Sequence, residues 1–280
     1  MKKKFLAIAT CVAALALSCA VFAGCSSSSS SSSNSGSSSS DSKTTLTVGF
    51  DQSYPPYGFV ADDGSYTGFD LDLAKAVCEK NGWEFKASPI DWDAKDALLA
   101  QGNINCIWNG FTREGREDNY TFSDSYMLNE QVVVVKSGSS ITDFAGLAGK
   151  TVMTQVDSAA LEVLEGDQAS VAATFNGGAA QTIADYNNAF MQLESGMVDA
   201  VACDLSIAQY QIAQNPGKYT QLSTPLSSEH YAVGFKKGDT ELANKVTETL
   251  KELDADGTVK QLCEKYADYG MSYDNWVLGK

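Results

Sequence analysis

The sequence predicts an α/β fold in two lobes, and three observations carry that prediction. Strand-like and helical patterns alternate along most of the chain. A β-branched run, Gln131 to Lys136, ends in Ser137-Gly138 as a crossing between lobes, and a second alternation begins after it. Finally, LLAQGNINCIWNG (98–110) and QLESGMVDAVACD (192–204) share the form helix–Gly–x–Ile/Val–Asn/Asp–strand. Gly102 precedes Gly110 by eight residues, and Gly196 precedes Asp204 by eight. If each lobe holds one such unit, Gly110 and Asp204 end equivalent strands. Those ends face one another across a cleft, the edge where open α/β sheets hold ligands. The 280 residues, 44% of them hydrophobic, suffice for two modest cores.

The amino terminus stands apart from the fold. Lys2-Lys3-Lys4 precedes an apolar stretch from Phe5 to Phe22, and Ala23-Gly24 places small residues before Cys25. Residues 1–24 therefore read as a signal peptide. The small residues before Cys25 and the polar tether after it resemble a bacterial lipobox, which makes Cys25 the lipid-modified first residue. From Ser26 to Ser42 the chain is almost only serine, a flexible tether spanning roughly 20–25 Å root-mean-square. Loss of residues 1–24 takes the net charge from −15 to −18. Such acidity argues against nucleic acid as a partner and against docking on anionic lipid.

Leu46 to Asp51 alternates like a first strand and delivers Asp51 at its end. SYPPYGF (53–59) is a rigid aromatic loop containing Tyr54. Gly64 and Gly68 mark a turn, and Phe69, Leu73 and Val77 then line one helical face up to Asn81-Gly82. A strand over 84–89, a helix over 94–101 and a strand over 104–108 follow. The second alternation runs strand 151–154, helix 158–164, strand 172–175, helix 181–195, strand 198–203 and helix 205–214. Tyr231 to Phe235 is a strand-like return, and helices over 240–254 and 258–266 complete the first lobe. Cys78, Cys106, Cys203 and Cys263 fall on helix or strand positions and read as buried thiols, with disulfides as the alternative. Without a CxxC pair, and with His230 the single histidine, the chain offers no metal site and implies no cofactor.

Residues 91–126 carry the chemistry. Asn109-Gly110 ends a short buried strand, and Phe111, Thr112 and Arg116 follow it. A planar guanidinium with a nearby hydroxyl suits a carboxylate, while Trp92 supplies an aromatic wall. Alternatively, Arg116 is a solvated side chain beside Glu114 and Glu117. Trp92, Ala97-Leu98, Gly102, Ile104, Gly110, Thr112, Arg116, Phe122-Ser123 and Tyr126 match, in order and largely in spacing, a known pattern. Through it the chain resembles the polar amino-acid substrate-binding proteins of ABC importers, bacterial extracellular solute-binding family 3, from about Leu46 to Tyr266.

The resemblance implies a periplasmic-binding-protein-like fold of type II, with two mixed sheets joined by two hinge strands. It assigns 25–43 to the tether, 44–134 with 230–280 to lobe 1, and 135–229 to lobe 2. It also implies a ligand site in the cleft. Arg116, with Thr112 and Gly110, would receive an α-carboxylate, Asp204 the α-ammonium, and Asn109 and Phe111 would also contact the ligand. Tyr54 and Trp92 would enclose the side chain. Asp204 is otherwise an N-cap, and Tyr54 a packed core residue. Ser158 and Ala159 would offer backbone N–H groups to the carboxylate. Here Asp157 stands where the family has glycine, and Ala159 replaces its second hydroxyl residue. Asp51 either reads a second positive group, as in lysine, arginine or cystine, or is a turn residue. The implied partners are an L-amino acid, a membrane permease and the membrane itself through the lipid, on the extracellular or periplasmic side. No catalytic dyad or nucleophile motif is present. The alternatives are a cyclohexadienyl or arogenate dehydratase-like enzyme and an amino-acid sensor module on the same fold.

Overall fold

The structure, a computed structural model, describes residues 44–280; the signal stretch, Cys25 and the serine tether lie outside the described residues. In chain order the first elements are β1 (Thr45–Phe50), β2 (Ser53–Tyr54), β3 (Gly58–Val60), β4 (Tyr66–Thr67), α1 (Phe69–Asn81), β5 (Glu84–Pro89), α2 (Lys95–Gln101), β6 (Cys106–Ile107) and β7 (Tyr120–Phe122). Next come β8 (Met127–Lys136), β9 (Val152–Gln155), α3 (Ala159–Glu165), α4 (Ala169–Ala172), β10 (Gln181–Ile183), α5 (Tyr186–Ser195), β11 (Ala200–Asp204) and α6 (Leu205–Gln214). β12 (Tyr219–Gln221), β13 (Ser227–Tyr231), β14 (Gly234–Lys236), α7 (Thr240–Ala255) and α8 (Thr258–Lys265) complete it.

Two mixed sheets organise these elements. The first has the order β5-β1-β6-β14-β7, and the second β10-β9-β11-β8-β12, with β13 also pairing β8. Parallel pairs (β1 with β5 and β6; β9 with β10 and β11) sit beside antiparallel ones (β14 with β6 and β7; β8 with β11, β12 and β13). The chain passes from the first sheet to the second between Phe122 and Met127, and returns between Tyr231 and Gly234. The run predicted over 131–136 begins at Met127 and pairs wholly within the second sheet. The predicted run 231–235 divides at Ala232-Val233 into two strands of different sheets.

β8 is buried on both faces. Val132 and Val134 join one core, and Val133 and Val135 another, as strand alternation requires. The paired sequence units fold alike at their turns: α2 and α5 each end at a left-handed glycine, Gly102 (φ 76°) and Gly196 (φ 80°). Each glycine N–H turns back onto carbonyls of its own helix, a conformation costly for residues with a Cβ. The strand expected over 172–175 is instead the end of α4 and a turn, with Phe175 buried in the second core. A short apolar run satisfies either period. β10 occupies Gln181–Ile183 within the expected helix 181–195. That helix starts only at Tyr186, where Asp185 caps it by accepting from the Asn188 N–H (2.9 Å). Cys106, Cys203 and Cys263 are buried thiols, and Cys78 is buried as well.

Candidate functional site

One cavity lies where residues from both sheets meet. Tyr54, Trp92, Gly110, Thr112, Arg116, Gln155, Ser158, Ala159 and Asp204 line it, closely packed around a free volume of about 10 Å³. Eight of these are sequence-predicted site residues; Gln155 is the addition. The first sheet contributes Gly110, Thr112 and Arg116 through the loop after β6. The second contributes Ser158 and Ala159 after β9, and Asp204 at the end of β11.

Arg116 is buried, its guanidinium carbon 4.8 Å from the Phe111 ring centroid. Nε (3.1 Å) and Nη2 (2.9 Å) donate to the Glu162 carboxylate on α3, and Nη1 to the Thr112 carbonyl (3.4 Å). Three of the five guanidinium N–H donors are therefore engaged, leaving one on each Nη. These two remain for a carboxylate. Gly110 has φ 57°, and a Cβ there would meet the Tyr231 ring at 3.0 Å and the Tyr54 ring at 3.1 Å. Its N–H points away from the cleft, to the buried Asp70 (2.6 Å).

Asp204 starts α6 yet makes no capping bond. Its Oδ1 accepts instead from Asn129 Nδ2 (3.0 Å), Gln131 Nε2 (2.7 Å) and the Tyr231 hydroxyl (2.8 Å). Burial pushes its carboxyl above the ordinary range. The Tyr54 hydroxyl lies 3.4 Å from that of Tyr231, which places a ring beside the acid. Ser158 caps α3, its Oγ accepting from the Leu161 N–H (3.2 Å).

Asp157 adopts φ 58°, the left-handed region where glycine is at ease, and this accounts for glycine at that point of the family pattern. Its carboxylate does not enter the cavity. It pairs with the buried Lys95, while its carbonyl accepts from Trp92 Nε1 (3.1 Å).

Three predicted site residues lie off this cavity. Phe111 is fully buried beneath Arg116 against Trp92, Tyr120 and Phe122, so it supports the guanidinium from below. Asn109 is buried with neither amide atom hydrogen-bonded. Asp51 accepts from the Ser53 N–H (2.8 Å) and Gln155 Nε2 (2.7 Å), and burial raises its pKa. It lines an adjoining gap of about 370 Å³ with Asp91, Trp92, Asp93 and Asp185. Trp92 lines both spaces, and Gln155 links Asp51 to the cavity.

The sequence reading missed Glu162, Lys95, Gln155 and Glu229. Its one available signal was Asn129-x-Gln131, two amides on the same face of an otherwise apolar strand.

Residues 46–269 match the family model of bacterial extracellular solute-binding proteins, family 3. The L-cystine-binding protein TcyJ of Escherichia coli K12 is 28% identical over 225 residues, covering 79% of this chain and 82% of that one. The L-arginine-binding protein of Pseudomonas aeruginosa is 28% identical over 243 residues, with coverage of 82% and 90%. A solved substrate-binding protein of an ABC uptake transporter from Streptococcus pneumoniae, with bound histidine, superimposes with a TM-score of 0.78. It is 35% identical and covers 84% of this chain and 95% of that one.

Proposed function

Because this chain belongs to the bacterial extracellular solute-binding proteins of family 3, we propose that it is the lipid-anchored receptor of an ABC importer, closing on an L-amino acid and delivering it to the permease. It is a binding protein and not an enzyme, as its relatives are. The observation that carries the ligand reading is the opposition of Arg116 and Asp204 in one cavity. An α-amino acid bears the complementary charges on a single carbon. Arg116 takes the α-carboxylate on its two remaining N–H groups, with the first turn of α3 at Ser158 and Ala159 beside it. Asp204 takes the α-ammonium, and the side chain passes between Tyr54 and Trp92 toward Asp51. That direction favours a side chain with a second positive group, in keeping with relatives named for arginine, histidine and cystine.

Both charge pairs are desolvated, so truncating either partner strands an opposite charge, at roughly 2–5 kcal/mol or about 30- to several-thousand-fold in affinity. Calorimetric titration of Arg116→Ala and Asp204→Ala with arginine, histidine and cystine should show losses of that size. Near-wild-type affinity in Arg116→Ala would sink the amino-acid reading. Anchoring rests on Cys25 and the tether after it. Metabolic labelling with a lipid probe should mark the wild type and not Cys25→Ser, and equal labelling of both would remove the anchor from this account.

A further inference from the structure

Asp204 does not stand alone. In the antiparallel register of β8, Gln131 lies opposite Asp204 on β11, and Asn129 opposite Glu229 on β13. Residues two apart on a strand point the same way, so all four side chains share one face of the sheet. The two amides bridge the two acids. Asn129 Nδ2 donates to Asp204 Oδ1 (3.0 Å) and Glu229 Oε1 (2.9 Å), and Gln131 Nε2 to the same two oxygens (2.7 Å each). Thr112 Oγ1 completes Glu229 Oε1 at 2.7 Å. Glu229 is 3% exposed and Asp204 4%.

Every one of these donors is neutral. Among the described residues no ion pair reaches either acid: Arg116 is turned to Glu162, Lys95 to Asp157 and His230 to Glu114. The remaining charges around Glu229, those of Glu114, Glu162 and Asp167 across the gap it lines, are negative. Two adjacent buried carboxylates without a cation cannot both ionise cheaply. Burial, reinforced by the Asp204 charge, pushes Glu229 up to about 7.

We propose that Glu229 is the second carboxylate of the ammonium receptor, and that an α-ammonium group enters in exchange for a proton that Glu229 otherwise holds. This rests on the amino-acid reading above. The ammonium keeps its three protons. The Glu229 carboxyl O–H breaks and its proton passes to water, so the pair goes from one negative charge to two as one positive charge arrives. The route out is open, because Glu229, Thr112 and Ala159 line a gap of about 390 Å³, and the last two also line the ligand cavity.

Binding then favours the ionised pair, so affinity is full above pH 7 and falls as the pH drops through that value. With a carboxyl at about 7, the loss between pH 8 and pH 6 is about tenfold. Glu229→Gln keeps an acceptor oxygen for Thr112, Asn129 and Gln131, so the sheet is preserved. Titration with L-arginine and with L-cystine at pH 6, in buffers of different ionisation enthalpy, should show release of about one proton in the wild type and almost none in Glu229→Gln. The variant's affinity should change little between pH 6 and 8. A ligand-free measurement accompanies it: in protein carrying 13C-labelled glutamate carboxyls, one glutamate should titrate near pH 7 and vanish in Glu229→Gln. Equal proton release in both proteins, or no glutamate titrating above pH 6, overturns the role of Glu229. Should those failures occur while Arg116→Ala still abolishes binding, the amino-acid reading survives and only the second acid falls.

Discussion

Asp70 illustrates how a residue outside the cleft sets the geometry within it. Its carboxylate, fully buried, receives the Gly110 N–H and the Tyr126 hydroxyl (2.8 Å), holding the loop that carries Thr112 and Arg116. Among the described residues no cation pairs with it, and burial lifts its pKa to about 7. The folded value thus exceeds the unfolded one, about 3.9, so the folded state holds an extra proton between them. That contribution is fully present below pH 4 and lost as the pH rises to 7. The three-unit shift corresponds to roughly 4 kcal/mol as an upper figure. Asp70→Asn retains an acceptor for Gly110 and never ionises. Its melting temperature should therefore fall less than that of the wild type between pH 4.5 and 8, and parallel profiles would remove Asp70 from the pH dependence.

At the scale of elements, the site is assembled from strand ends, and strand ends are what sequence pattern reads best. Gly110 and Asp204 fall where the repeated helix–glycine–strand units predict them, because each unit is a local structure closed by its own glycine. Arg116, Trp92 and Tyr54 were legible for the same reason: each follows an element whose period is visible. The residues that brace them were not. Glu162 sits one turn into α3 with an exposed flank, Lys95 starts α2, and Glu229 lies on a strand too polar to stand out. Their significance arises only from packing between elements distant in the chain. Asn109 and Phe111 show the converse error, since adjacency to Gly110 along the chain does not aim a side chain into the cavity. In the loop after β6, Phe111 packs below Arg116, and a bridge to Tyr231 at the end of β13 sets the Thr112 hydroxyl on Glu229.

For the molecule as a whole, the two sides of the cleft are joined by aromatic contacts, Tyr54 with Tyr186 (6.2 Å between ring centroids) and Tyr210 stacked on Tyr269 (5.7 Å), and by polar ones. Arg116 with Glu162, Lys95 with Asp157, and Asp51 with Gln155 join first-sheet residues to second-sheet ones. Glu162 and Asp157 are each 47% exposed, so solvent screens these pairs even though Arg116 and Lys95 are buried. Asp157 also adopts a left-handed conformation that costs roughly 1–2 kcal/mol for a residue with a Cβ. Opening about the segments between Phe122 and Met127 and between Tyr231 and Gly234 has to break these contacts, the aromatic ones included. An amino acid that engages both sides adds roughly 2–5 kcal/mol per desolvated charge pair, and only the closed form offers both pairs at once. The expected result is a population shift toward the closed form. Small-angle scattering should report a smaller radius of gyration at saturating arginine. In the double variant Asp157→Asn, Glu162→Gln, which removes both acids while asparagine keeps the left-handed conformation, the free protein should be more expanded than wild type and still compact on ligand addition, at a higher ligand concentration. A wild-type radius of gyration that does not change with saturating ligand would rule out the two-hinge closure, and with it the idea that these ion pairs tune the balance.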